Sequence, residues 1–203
     1  MNKPADTTYP VHDLIAQRWS PRAFDDRAPS REQLVALFES ARWAPSCFND
    51  QPWSFVVGVK GASDDGDAWR KVYETLVSAN QAWAERAPVL AIAVARTAFA
   101  FNGKPNRHAG YDTGAASFAL TVQAQALGLV VHQMGGFDAD AAKATFGIGA
   151  DQEPMAALAI GFPGSADLLD GDLAERERAP RERRALDGTV FGGTFGEAHP
   201  LAR

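Results

Sequence analysis

The sequence predicts an α+β fold in one domain, and three observations carry that prediction. Apolar runs of strand length stand at 53–59, 89–95, 129–134 and 155–162, with the β-branched and aromatic content of pleated segments. Between them lie segments with helical periodicity, and the two kinds mix without the strict alternation of a βαβ repeat. A chain of 203 residues with 46% hydrophobic content is long enough for one substantial core and short for two. Residues 1–203 therefore read as one domain, with no internal repeat or low-complexity tract.

Val11, Leu14, Ile15 and Trp19 recur at helical spacing, giving a first helix that runs into the stretch 18–22, where Pro21 enforces a turn. Ser30 followed by Gln33 predicts a capping box, and Leu34, Leu37, Phe38 and Ala41 line one face of the second helix, which Pro45 ends. The polar stretch 46–51 is then a loop leading into the strand 53–59, a place where binding groups usually sit. Residues 61–67 read as a surface loop from their Gly, Ser and Asp content. Helical sequence follows over 68–86, with a break expected near Asn80 and a stop at Pro88.

The run 89–95 suits a central strand, and 96–108, carrying Gly103 and Pro105, reads as a long loop able to border an active site. Residues 111–127 have apolar side chains on most faces, which predicts a deeply buried helix suited to a subunit interface, closed by Gly128. A strand at 129–134, a sharp turn at Gly135 and Gly136, a helix at 139–146 ended by Gly147 and a strand at 155–162 complete the core. From 166 to 184 the composition turns charged, and 189–196 carries Gly and Phe without clear period. That tail is expected to lack a core of its own and to borrow one from a partner subunit.

Composition excludes several classes. One Cys and four His, not clustered, argue against a structural zinc site or a disulfide framework and suit a cytoplasmic setting. No apolar run approaches the roughly 18 residues of a membrane span, and the first ten residues are polar. A net charge of -5 disfavours non-specific nucleic-acid binding, so the arginines near Arg18 must answer a local anion.

Two motifs carry the chemistry. Arg18, Ser20 and Arg22 place two guanidinium groups and a hydroxyl within five residues, the donor set that suits a phosphate dianion. Arginines without context are usually solvated surface charges, but this order sits at a helix end beside a turn. The second motif is Pro45-Ser46-Cys47-Phe48-Asn49-Asp50-Gln51-Pro52-Trp53, polar side chains between prolines. An ordinary turn explains Asn49 and Asp50 but not the flanking prolines and Gln51 together. Later segments follow in order: 76–88 with Asn80, Tyr111-Asp112-Thr113-Gly114-Ala115-Ala116, and Gly128-Leu129 running into Gln133-Met134-Gly135-Gly136-Phe137. On these segments the chain resembles, over nearly its whole length, the nitroreductase family of FMN-dependent oxidoreductases.

The resemblance implies a mixed, mostly antiparallel sheet wrapped by helices, in a homodimer with FMN at the interface and a C-terminal extension, about 166–203, packing on the partner subunit. It implies that Arg18 and Ser20 hold the FMN phosphate and that Arg22 approaches the pyrimidine edge of the ring, where a fixed cation favours the reduced, negatively charged flavin. Pro45, Ser46, Cys47, Asn49 and Gln51 match positions that reach the other subunit's cofactor. Cys47 has no nearby His or Lys in sequence to lower its pKa and reads as a contact, not a nucleophile. Asn80 matches an asparagine that hydrogen-bonds the flavin, or else it is a helix-breaking cap. Some relatives have Lys where this chain has Trp83, and Glu where it has Gly135.

Gln133, Met134, Gly135 and Gly136 would pass along the flavin's reactive edge, where the absence of a Cβ permits close approach. Arg181 and Arg183 stand near a family position that donates basic side chains to the phosphate. The alternation Glu175, Arg176, Glu177, Arg178 and Glu182 around them otherwise reads as a salt-bridged, solvated helix. Phe48, Phe101, His108 and Phe137, with Trp19, are candidates for the substrate pocket or for core.

No GxGxxG follows a strand and no GxxxxGK[ST] is present, so NAD(P)H is expected only as a transient hydride donor. The implied activity is ping-pong transfer of hydride from NAD(P)H through flavin N5 to electron-poor acceptors such as nitroaromatics or quinones, with no catalytic side chain required. Two rivals keep the flavin: a carrier with little turnover, and a same-fold enzyme for reductive dehalogenation or flavin fragmentation.

Overall fold

Four strands form one sheet in the order β1-β2-β4-β3, every neighbouring pair antiparallel. The strands are β1 (Trp53–Val59), β2 (Val89–Arg96), β3 (Val130–Met134) and β4 (Gln152–Gly161). In this computed structural model residues 3–63 and 67–202 are described. The helices are α1 (Asp13–Ala16), α2 (Arg31–Arg42), α3 (Ala68–Thr75), α4 (Ser78–Ala84), α5 (Ala109–Ala126), α6 (Ala139–Phe146) and α7 (Gly171–Arg178). The result is the expected α+β architecture. Among the described residues no helix is long and apolar enough to cross a membrane.

The sheet is covered on both faces, which is why β2 is apolar without alternation. Leu90, Ile92 and Val94 of β2 join Val72, Trp83, Met134 and Phe24 in one core, while Val89, Ala91 and Ala93 join Leu37, Ala41, Leu120 and Leu129 in the other. The second core uses small residues: Ala116 and Ala124 of α5 face the alanines of β2, so the helix lies close to the sheet. The Ser30 capping box forms with both of its reciprocal bonds, and α6 ends at Gly147 in the left-handed region at φ 64°.

Three boundaries differ from the sequence reading. The break in the 68–86 helical segment falls at Leu76 and Val77, not at Asn80, because Leu76 bridges to Phe137 as extended chain and the Val77 N–H donates to the Gly136 carbonyl at 3.1 Å. Asn80 is therefore inside α4 and is no cap. β4 starts at Gln152 rather than Met155. Pro154 lacks an N–H, and the register with β2 shifts there, Ala93 pairing Ala156 while Val94 pairs Pro154. The charged segment from 166 also docks on its own chain: Leu169 and Ala174 belong to the first core, Ala166 is buried, and Glu177 is 2% exposed. Of the expected surface loop 61–67, residues 64–66 lie outside the described residues.

Candidate functional site

The stretch 18–22 leaves α1 and is held by backbone-directed bonds from remote elements. The carboxylate of Glu177 in α7 accepts from the Arg22 N–H at 3.0 Å through both oxygens and from the Ala23 N–H at 3.1 Å. His132 of β3 donates from Nδ1 to the Pro21 carbonyl at 2.9 Å. Burial pushes its pKa from 6.5 down to about 4, helped by Arg22 and Arg18 and opposed by the Pro21 and Ser20 carbonyls, so the ring is neutral at pH 7. Trp83, where some relatives carry Lys, packs 4.5 Å from the His132 ring and stacks on Phe24. It is a core wall behind the site, not a cation within it.

So positioned, Arg18, Ser20 and Arg22 line a cavity of about 170 Å³ together with Arg181 and Arg183. Lys3 and Arg176, which the sequence did not single out, complete its basic lining. Arg18 Nη1 donates to Ser20 Oγ at 3.2 Å. Among the described residues no carboxylate lies in ion-pair range of these cations. Burial lowers the pKa of Arg18, with Arg181 and Arg183 adding to the shift. Lys3 is likewise lowered by burial and by Arg22 and Arg181, against the opposing attraction of Glu177. A concentration of unpaired cations in a chain of net charge -5 fits an anion of high charge density.

β3 meets the 18–22 stretch through His132. Past the end of that strand the Gly136 carbonyl accepts from Asn80 Nδ2 at 2.9 Å as well as from Val77 N–H. Because the acceptor is a carbonyl, the Asn80 amide must face it with its nitrogen, leaving Oδ1 as an acceptor. A Cβ on Gly136 would stand 2.6 Å from Asn80 Nδ2, so glycine is required for this approach. Gly135 has open space around it. Met134 is 3% exposed and its side chain belongs to the core, which leaves only its backbone available to a ligand. Gln133 turns Nε2 to Thr121 Oγ1 at 3.1 Å and to the Ser117 carbonyl, both on α5. Phe137 packs partly on the first core.

Residues 45–51 gather elsewhere and do not line the basic cavity. Phe48, Asn49 and Gln51 hold positive φ of 54°, 55° and 47°. For a bulky residue such as Phe48 that is a strained conformation, which the surroundings must impose. Asp112 of α5, 3% exposed, accepts from the Cys47 N–H at 3.0 Å, and Ser46 Oγ accepts from Gln51 N–H at 3.0 Å. Asp50 ties the loop to 97–106: it accepts from Arg96 Nη2 and from the Ala100 N–H, each at 2.9 Å. Burial alone would raise the Asp50 carboxyl, but these hydrogen bonds and the Arg96 charge outweigh it and lower the pKa.

On this frame Phe48 and Phe101 are 78% and 63% exposed; Phe48 meets Phe99 and Phe101 edge to face, and the Phe99 and Phe101 rings are tilted by 40°. His108 is half-buried at the start of α5, its N–H donating to Asn106 Oδ1 at 3.0 Å. Sequence reasoning thus missed Lys3, Glu177, His132, Asp112 and the Asp50–Arg96 pair as positioning groups. Asp50 and Asp112 did lie inside the quoted motifs, whereas Glu177 was hidden in charge alternation.

Comparison with known proteins gives the family and the fold. A model of the nitroreductase family matches residues 15–162. A solved oxidoreductase containing FMN superposes with a TM-score of 0.86 at 38% identity, covering 94% of this chain and 95% of that one. A 15.4 kDa protein of Mycolicibacterium smegmatis is 34% identical over 145 residues, 70% of this chain and 97% of its own length. An FMN and NADPH-dependent nitroreductase from sphigopyxis sp. strain HMH shares the fold with a TM-score of 0.63 at 24% identity, over 90% of this chain and 98% of that one.

Proposed function

The chain belongs to the nitroreductase family, and from that premise we propose that it is an FMN-dependent, NAD(P)H-oxidising reductase that acts as a homodimer on electron-poor acceptors such as nitroaromatics or quinones. The observation that carries the reading is the basic cavity lined by Arg18, Ser20, Arg22, Arg181 and Arg183. A phosphate seated there relieves the mutual repulsion of the cations.

Bound FMN would supply the redox chemistry, hydride exchange between NAD(P)H and the acceptor, and Arg18, Ser20, Arg22 and Asn80 would hold it. The chain's own task is to hold and orient. Arg18 and Ser20 grip the phosphate. Arg22, whose backbone is fixed by Glu177, presents a cation toward the ring edge where negative charge collects. Asn80 Oδ1 is the acceptor for a pyrimidine N–H, and Gly135 and Gly136 let the backbone approach the ring without a Cβ in the way. Phe48 and Phe101 offer flat apolar walls that exclude water and suit flat acceptors.

Two observations favour the dimer. Tyr111, Gly114 and Phe118 form an exposed stripe at helical spacing on α5, with Tyr111 82% and Phe118 46% exposed. The strained loop 45–51 stands apart from its own basic cavity, as expected of a loop that serves the partner's cofactor.

The test is the visible spectrum of the purified protein, recorded before and after anaerobic addition of NADPH and then NADH. Flavin bands that bleach support the reading and give the nicotinamide preference. Bands that persist would favour a carrier, and no flavin after addition of FMN would overturn the proposal.

A further inference from the structure

Residues 3–5 are tied down beside the basic cavity by bonds to α1 and Arg181. Ala5 N–H donates to the Ala16 carbonyl at 2.7 Å, at the end of α1. Arg181 Nη1 donates both to that Ala16 carbonyl and to the Lys3 carbonyl, each at 2.8 Å. One guanidinium nitrogen thus staples the segment to α1. The Lys3 ammonium itself donates to the Ala179 carbonyl at 2.7 Å and stands 4.4 Å from the centroid of the Trp19 ring. Lys3 lines the same cavity as Arg18, Ser20 and Arg22.

A surface lysine is ordinarily solvated, and ordering it costs side-chain entropy. Here it is fixed beside like charges with no carboxylate in ion-pair range among the described residues. An ammonium has three donors, and Ala179 takes one of those on Lys3. Two donors remain, on a side chain that lines the cavity. Arg181 stands differently, because its Nη1 is already committed to two carbonyls of this chain.

We infer that Lys3 is a ligand of the cofactor's phosphate, carried on a strap formed by residues 3–5, and that Arg181 is the positioning residue that staples the strap in place. The inference rests on the FMN reading above and deepens it. The strap makes the cavity selective for a terminal phosphomonoester, whose charge near -2 at pH 7 answers several cations at once. A flavin without that phosphate gains nothing from Lys3.

The experiment titrates apo-protein with FMN and, separately, with riboflavin, following quenching of flavin fluorescence, for the wild type and for Lys3→Met, Lys3→Arg, Arg181→Met and the double variant. Lys3→Met is expected to weaken FMN about tenfold or more, as for loss of a charged hydrogen bond, to leave riboflavin unchanged, and to be rescued largely by Lys3→Arg. Arg181→Met should weaken FMN by a similar factor, and the double variant should be little worse than either single one, since both changes remove the same contact. FMN affinity of Lys3→Met within twofold of wild type would overturn the proposal, as would equal losses for FMN and riboflavin. A double variant whose loss is the product of the single losses would make Arg181 an independent ligand and overturn the staple. Wild-type protein that binds neither flavin refutes the FMN reading itself.

Discussion

Replacing Glu177 with alanine is the most searching test of how this site is built. The carboxylate is 2% exposed and accepts from Arg22 N–H at 3.0 Å to both oxygens and from Ala23 N–H at 3.1 Å. Alanine leaves both amides without an acceptor at a place water does not reach, at about 1–3 kcal/mol each. It also removes the nearest counter-charge behind Lys3. The expected loss is roughly 3–5 kcal/mol, a large part of a total stability of about 5–15 kcal/mol. Glu177→Gln separates the contributions: Oε1 still accepts from both amides, but the new Nε2 faces the Arg22 N–H, donor against donor. Its loss should be about half that of alanine. Urea unfolding followed by tryptophan fluorescence measures both variants, and FMN titration of the folded fraction reports whether the stretch 18–22 has loosened. A loss below about 1 kcal/mol for Glu177→Ala, with FMN affinity intact, would refute the reasoning that α7 holds the phosphate loop through this side chain.

Further outcomes follow from the same geometry. Folded His132 titrates near about 4 against 6.5 when exposed, so the unfolded chain takes up the proton first as pH falls. The corresponding stability is complete above pH 6.5 and is lost progressively between 6.5 and 4, about 3 kcal/mol in all. His132→Asn should flatten that part of the stability–pH curve, and parallel curves for the two proteins would count against the neutral buried ring. Gly136→Ala places a Cβ 2.6 Å from Asn80 Nδ2; displaced Asn80 should cost about 1 kcal/mol in urea unfolding and weaken FMN, and unchanged values for both would show that the approach is not needed. Arg18→Ala should weaken FMN retention by roughly 1.5–3 kcal/mol, and an unaltered dissociation constant would remove Arg18 from the phosphate site. Asp50→Ala, which frees Arg96 and the Ala100 N–H, should raise the KM for the acceptor more than it lowers kcat, since it loosens the loops that carry Phe48 and Phe101; equal effects on both would mean that those loops do not line the pocket.

Much of the fold was legible because its elements are punctuated locally. The capping box at Ser30 and Gln33, the left-handed Gly147 and the stops around 53–59 act over a few residues, and each appears where the local pattern puts it. The readings that shifted depend on remote partners. Leu76 leaves the helix because Phe137, far away in sequence, offers a strand-like bridge. β4 extends past Pro154 because β2 absorbs the register shift. Glu177 looked like one member of a solvated alternation, yet its acceptors' donors, the amides of Arg22 and Ala23, lie more than a hundred residues earlier in the chain.

Residue types and short spacings by themselves determined the α+β class, the order of the elements and the phosphate-shaped donor set of Arg18, Ser20 and Arg22, since propensity, capping and charge are local properties. The tertiary structure alone decided which remote groups complete that set: Glu177 and His132 to fix its backbone, and Lys3, Arg176, Arg181 and Arg183 to enclose it. The reason is physical. A buried amide or an uncompensated cation can be satisfied from any point on the chain, and only packing across the sheet settles which point comes within hydrogen-bonding reach.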